Sequence, residues 1–443
     1  MSRAAYLLER AWVRGAVHDD VLVTVEDDRF VEVTPGGDSD GATRLPGLTL
    51  PGFANCHSHA FHRALRGRTQ RERGNFWTWR EQMYAVAGRL DPDGYFALAR
   101  ATYREMAAAG ITTVGEFHYL HHQPGGTPYD DPNAMGYALV EAAREAGLRI
   151  ALLDTCYLSS GFGEPVTTAQ LRYSDRSVDA WATRTEQLRG YDPAPDVVVG
   201  AAIHSVRAVP DDALVPVVEA AEGRPLHVHL SEQPAENDAC VAAYGATPAQ
   251  LLADHGVLGP LTSAVHATHL TDHDIALLGG THTHACFCPT TERDLGDGIG
   301  PGRALRDAGS PLTLGSDSHA VVDPFEEMRA VELDERLATR QRGHWTAGEL
   351  LEAATTTGHR SLGFDDAGEI AVGRRADLVT LDTESVRTAG TGRDEHTAVF
   401  AASAADVVQV MVDGRVVARQ GDREEIGREL ARAIEATIEG VRR

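Results

Sequence analysis

LTLPGFANCHSHAF, residues 48 to 61, is a run of small and apolar residues that closes on two histidines separated by one serine. Such a run reads as a buried strand. Side chains two apart on a strand point the same way, so His57 and His59 aim two imidazoles at one point beyond its end. That is half of a tetrahedral metal site. In a chain with 20 histidines a lone His-x-His is ordinary packing or surface chemistry more often than a ligand pair. The decision rests on whether later strands end in matching groups.

Seven more short β-rich runs follow the first: ITTVGEFHY (111 to 119), RIALLDTCYL (149 to 158), VVVGAAIHSVR (197 to 207), PLHVHLSE (225 to 232), SAVHATHL (263 to 270), HTHACFCP (282 to 289) and PLTLGSDSH (311 to 319). Helical patterns such as YFALARATYREMAAAG (95 to 110) and DDALVPVVEAAEG (211 to 223) lie between them. Eight β/α units in a row predict an α/β fold, a (β/α)8 barrel of the TIM type. The alternating pieces VLVTVEDD and RFVEVTP before it read as hairpin strands, and strand patterns return at 368 to 382 and 407 to 421 after a helix at 346 to 363. The expected organisation is a barrel over 48–363 and a small β-sandwich-like domain built from 1–47 and 364–443, with a closing helix at 424–443.

Composition narrows the chemistry. The 443 residues, 42% of them hydrophobic, suffice for a large core. No apolar run approaches the ~20 residues of a membrane helix, and the N-terminus carries charges where a signal peptide needs an apolar centre, so the expectation is a cytoplasmic protein without a membrane partner. Five cysteines, an odd number without a paired framework, read as reduced thiols. A formal charge of −24 repels phosphate backbones, which argues against nucleic acid as a partner. All 41 basic residues are arginine. The absence of lysine excludes a Schiff-base lysine, a P-loop lysine and a carboxylated lysine bridging two metals, and so points to a one-metal site.

Barrels of this kind work at the C-terminal ends of their strands. Strand one ends in His57 and His59, strand five in His227, His229 and then Glu232. Strand six carries His266 and His269, and strand eight runs into Gly315-Ser316-Asp317-Ser318-His319. Ligands at the ends of four strands converge on one mouth by geometry, so the expected metal set is His57, His59, His229 and Asp317.

This pattern of His-x-His, strand-five His followed by Glu, strand-six His and strand-eight Asp resembles the amidohydrolase superfamily, and more narrowly its one-zinc branch that deaminates carbon–nitrogen centres. GRRADLVTLD and VMVDGRVV near the C-terminus are similar to that family's terminal β piece. Within the branch, FWTWREQMY, GEFHYLHH, AIHSVRAV, HLSEQ, VHATH and LGDG resemble enzymes that hydrolyse N-formimidoyl-L-glutamate to N-formyl-L-glutamate and ammonia in histidine breakdown. The resemblance implies one Zn2+ per chain, with iron or manganese able to use the same ligands, and a homodimer.

The chemistry follows from the residues as well. Zinc brings the pKa of a bound water towards ~7. Asp317 can take the water's proton, Glu232 can hold the imino nitrogen and deliver a proton to it, and His266 can steady the developing charge. A formamidine enters largely as a cation, which an anionic Glu232 also orients. By resemblance, Arg80, Tyr119, His204 and Arg207 grip the glutamate part, since arginine meets a carboxylate with two parallel hydrogen bonds. Arg80 sits beside Trp77 and Trp79 in a segment that fits a pocket lid. His62 stands where the family often has glutamine and is expected to hydrogen-bond a carboxylate. The alternatives are a deaminase of aromatic bases of the guanine or adenosine type, and a non-catalytic metal- or solute-binding protein.

Overall fold

The computed structural model describes residues 3–37, 41–70, 73–74, 76–190 and 194–438, with the side chains of residues 76 and 77 left aside. Seventeen strands run in chain order among them. They are β1 (Arg3–Val13), β2 (Ala16–Glu26), β3 (Arg29–Pro35), β4 (Thr43–Pro51), β5 (Phe53–Ser58), β6 (Ile111–His118), β7 (Arg149–Cys156), the short β8 (Ser159–Gly161) and β9 (Glu164–Pro165), β10 (Val197–Ile203), β11 (Leu226–Leu230), β12 (Thr262–His266), β13 (His284–Phe287), β14 (Leu312–Leu314), β15 (Leu378–Leu381), β16 (Val407–Val412) and β17 (Arg415–Arg419).

Eight of them, in the order β14-β13-β12-β11-β10-β7-β6-β5, form a parallel sheet. A bridge between Ser58 and Asp317 joins its two outer members, so the sheet closes on itself as the (β/α)8 barrel that the eight runs predict. Strands buried on both faces have no polar face to show, which is why these segments read as continuous apolar runs. The chain ends combine into one seven-stranded sheet, β17-β16-β15-β4-β1-β2-β3, in which β4 lies parallel to β1 and antiparallel to β15.

Residues 48–59, expected to be one strand, are two strands in different sheets. β4 ends at Pro51, and Gly52 carries the chain across into β5. Proline has no N–H with which to continue a ladder. A Cβ at Gly52 would lie 2.3 Å from Thr112 Oγ1, so only glycine passes between the sheets there. The eighth strand is also shorter than its sequence run. β14 stops at Leu314, beyond which the N–H groups of Ser316 and Asp317 turn to the His57 carbonyl and Asp317 and His319 take left-handed backbone conformations, φ 37° and 56°.

The helices follow local rules. Pro92–Ala108 starts behind the Asp91 cap, which accepts from Gly94 N, and buries Tyr95, Leu98, Ala99, Thr102 and Met106 at helical spacing. The closing helix spans Arg423–Ile438 and is tied to that helix by Arg104, 3.2 Å from Glu425 and 2.6 Å from Glu429. The helix expected over 346–363 is interrupted by a π-helical turn at Ala353–Thr357. All five cysteines are buried and unpaired. Among the described residues, no helix is long and apolar enough to cross a membrane.

Arg149, at the start of β7, fastens the barrel to the terminal sheet. Its guanidinium forms an ion pair with buried Asp377 and donates to Asp413, 3.0 Å away. Removing one partner of a buried pair strands the other charges in a dry site, so Arg149→Ala is expected to cost about 3–5 kcal/mol. Chemical denaturation of the variant against the parent measures this, and a loss below about 1 kcal/mol would show that the two sheets hold together without the pair.

Candidate active site

His57 and His59 sit at the C-terminal end of β5, both buried. The N–H groups of Ser316 and Asp317 donate to the His57 carbonyl, at 3.1 and 2.9 Å, and His59 N–H donates to the Asp317 carbonyl at 3.2 Å. These backbone bonds lay the strand-eight loop against the His-x-His pair. A Cβ at Gly315 would stand 2.8 Å from His57 Cβ, so the approach also requires glycine.

The side chains then converge. Asp317 Oδ1 is 3.4 Å from His57 Nε2 and 3.3 Å from His59 Nε2. His229 Nε2, at the end of β11, is 3.1 Å from His57 Nε2. His59 donates its Nδ1 hydrogen to the Phe117 carbonyl at 3.0 Å, and His229 donates its own to the His204 carbonyl at 2.8 Å. In both rings Nε2 is therefore left with a lone pair. Burial, joined in His57 and His229 by neighbouring imidazoles, lowers all three histidines and keeps them neutral. Burial works to raise Asp317, but the imidazoles around it, His266 first, outweigh it and hold the carboxyl below its usual range.

A lone pair on His59 facing a carboxylate oxygen at 3.3 Å repels unless a cation lies between them. Ligand bonds of 2.0–2.1 Å at tetrahedral angles put ligand atoms about 3.3 Å apart. The three separations match that edge: His57, His59 and Asp317 form one set of mutually close ligand atoms, and His57 belongs also to a second set with His229 and His266, so this group of side chains fits a divalent metal centred near His57. The chemistry of two-nitrogen pairs with tied Nδ1 hydrogens is that of metal-ligating histidines.

His266 ends β12 with φ 69°, and Ala267 follows at 46°; Ser231, after β11, has φ 50°. Left-handed residues without glycine concentrate at functional sites. His266 Nε2 lies 3.8 Å from Asp317 Oδ2 and 3.9 Å from Glu232 Oε1. Its Nδ1 meets Glu292 Oε1 at 3.3 Å. Burial opposes a charge on His266, but Glu232, Glu292 and Asp317 outweigh it and push its pKa well up. Burial raises Glu232, with His266 acting against it. Glu232, His266 and Asp317 thus form one cluster on the rim of the candidate centre.

The same cavity is walled by His62, Arg80, Tyr119, His204 and Arg207. His62 Nε2 and the Tyr119 hydroxyl are 3.0 Å apart. Arg207 Nε donates to Glu236 Oε2 at 2.7 Å, a buried partner that holds it as a cation against burial. Arg80 lies on the helix Phe76–Ala87 and donates to the Tyr84 hydroxyl at 2.7 Å. Trp79 lines the cavity as expected of a lid, whereas the Trp77 side chain lies outside the described residues. Two strand-end histidines do not join. His269 donates to the Asp297 carbonyl at 2.7 Å, and His227 is fully buried outside the cavity lining.

Three buried acids escape the motif reading. Glu116, inside the apolar run of β6, accepts from Ala60 N–H and Ser58 Oγ, both at 2.7 Å, and burial pushes it up to about 8. Glu292 also accepts from Cys288 N–H at 2.8 Å. Asp297, raised to about 9 by burial and then by Glu232, accepts from Gln233. A carboxylate in an apolar strand marks Glu116 in the sequence; Glu292, on the short helix Pro289–Leu295, and Asp297, just after it, sit in polar stretches where acids are unremarkable.

Residues 48–417 match the model of the amidohydrolase family. The chain belongs to that family, whose members hydrolyse carbon–nitrogen bonds, and is an enzyme of the deaminase kind. It is 36% identical over 429 residues to a formimidoylglutamate deiminase of Pseudomonas aeruginosa, covering 94% of this chain and 93% of that one. Among solved structures it is similar to an amidohydrolase of Brucella melitensis, at 30% identity and TM-score 0.90 over 98% of this chain and 100% of that one. The fold is shared with a structure described as an adenosine deaminase from Xanthomonas campestris with bound zinc, at 23% identity and TM-score 0.84 over 98% of both chains.

Glu116 accepts from both residues that flank His59, so Glu116→Ala should weaken metal affinity by about 10–100-fold, with Glu116→Gln closer to the parent. Competition with a chromogenic chelator reads this directly. Unaltered affinity in the alanine variant would mean that His59 is held without the carboxylate.

Proposed function

We propose that this enzyme hydrolyses N-formimidoyl-L-glutamate to N-formyl-L-glutamate and ammonia, a step of histidine breakdown, with one zinc ion held by His57, His59, His229 and Asp317. One observation carries the reading: Glu232, His266 and Asp317 line the same cavity as Arg80 and Arg207. A formamidine cation suits the acidic side, and a glutamate tail suits the cationic side. The name of the Pseudomonas relative supports the substrate, and the zinc named with the Xanthomonas structure supports the metal.

When bound, the metal supplies a Lewis acid and lowers the pKa of a coordinated water. The residues do the rest. Asp317 turns Oδ2 away from the His57 and His59 nitrogens and toward His266, free to take a proton from the attacking water. Glu232, kept protonatable by burial, holds the imino nitrogen and passes a proton to it, so that the tetrahedral carbon expels ammonia rather than water. His266, aimed by Glu292, donates to the oxygen on which charge develops. Tyr119, His204, His62 and the two arginines fix the glutamate end, which places the formimino carbon at the acid cluster.

Ammonia release from N-formimidoyl-L-glutamate, measured beside guanine and adenosine with metal content determined on the same sample, tests the proposal. Faster release from either purine would overturn the substrate. Glu232→Gln is expected to retain the metal while kcat falls by about 10²–10⁴-fold. Undiminished turnover would remove Glu232 from the mechanism.

A further inference from the structure

Behind the cationic wall, and outside the cavity lining, lies Gln170, a fully buried amide on the short 3-10 helix Thr168–Tyr173. Its oxygen accepts from Thr167 N–H at 2.9 Å and from Thr167 Oγ1 at 2.7 Å. A backbone N–H can only donate, so the atom facing it is the oxygen, and the orientation of the amide is settled. The amide nitrogen therefore points the other way, where it donates to the Tyr157 hydroxyl at 2.8 Å and to the Tyr84 hydroxyl at 3.3 Å. Tyr84 accepts a second bond from Arg80 Nε.

Each phenol oxygen is thus an acceptor toward Gln170, and its own hydrogen has to go elsewhere. Arg80 and Gln170 approach these oxygens as donors, so neither takes up a hydroxyl hydrogen. Both tyrosines line the cavity together with Arg80 and Arg207. Burial holds Tyr157 up at about 12, so it keeps its hydrogen throughout the neutral range. We infer that Gln170 is a positioning residue that commits Tyr84 and Tyr157 to donate into the cavity, so that this lobe accepts a carboxylate and rejects groups that themselves donate. The inference rests on the proposed function only for the identity of the substrate that brings the carboxylate.

Replacing the amide with an acid of the same shape reverses the polarity. In Gln170→Glu the first oxygen still accepts from Thr167, while the second draws both phenol hydrogens out of the cavity. With metal-loaded enzyme, glutarate affinity by calorimetry is expected to fall at least ~30-fold, and the ratio of kcat/KM for N-formimidoyl-L-glutamate to that for N-methylformamidine, which lacks the carboxylates, to fall by a similar factor, mostly through KM. The double variant Tyr84→Phe/Tyr157→Phe, which removes the hydrogens with Gln170 in place, is expected to lose about tenfold in glutarate affinity. Glutarate affinity within about threefold of the parent in both variants overturns the inference. A parent enzyme that binds glutarate but releases no ammonia from N-formimidoyl-L-glutamate overturns the proposed substrate and leaves the role of Gln170 standing.

Discussion

The site depends on the seam where the barrel closes. Two backbone N–H groups of the strand-eight loop share the His57 carbonyl, and His59 returns a bond to the Asp317 carbonyl. Three main-chain bonds therefore fix the distance between the His-x-His pair and the aspartate before any side chain is considered. Side-chain ligands hung on such a frame are held in place by the fold, whereas ligands on free loops would pay for ordering at each binding event. The left-handed conformation of Asp317 is the local cost of bringing the loop across the seam.

Around the seam the charges are arranged in balance. Asp317, Glu232 and Glu292 surround His266, and each raises its tendency to carry a proton. Glu236 holds Arg207, and the aspartates 377 and 413 hold Arg149. Ionised groups buried singly would be untenable, so the acids occur in groups with a cation among them. The result is a single cavity lined by buried acids and by arginines.

Much of this was legible in the residues. Parallel strands buried on both faces announce themselves as apolar runs, and alternation along a strand makes His57 and His59 partners without further information. His229, His266 and Asp317 were legible because strand ends in a barrel share one mouth. What was not legible depends on contacts across space. The break at Pro51-Gly52 follows from crowding by Thr112, and the shortness of β14 follows from the loop's docking on His57. Glu292 and Asp297 look like surface acids until the fold turns them inward. Gln170 carries only the local mark of a capping box with Thr167, which says nothing of the two phenols that its other end meets.

The closing bridge joins Ser58 to Asp317, so the aspartate beside the His-x-His pair is drawn from the far end of the barrel sequence. Contacts of such separation form late, because the intervening chain must be ordered before they can repay the entropy of closure. During synthesis the His-x-His pair therefore emerges long before its aspartate, which lies about 260 residues further along the chain. The grouping of His57, His59 and Asp317 is in this sense a report of completion: it exists only when the ring has been sealed.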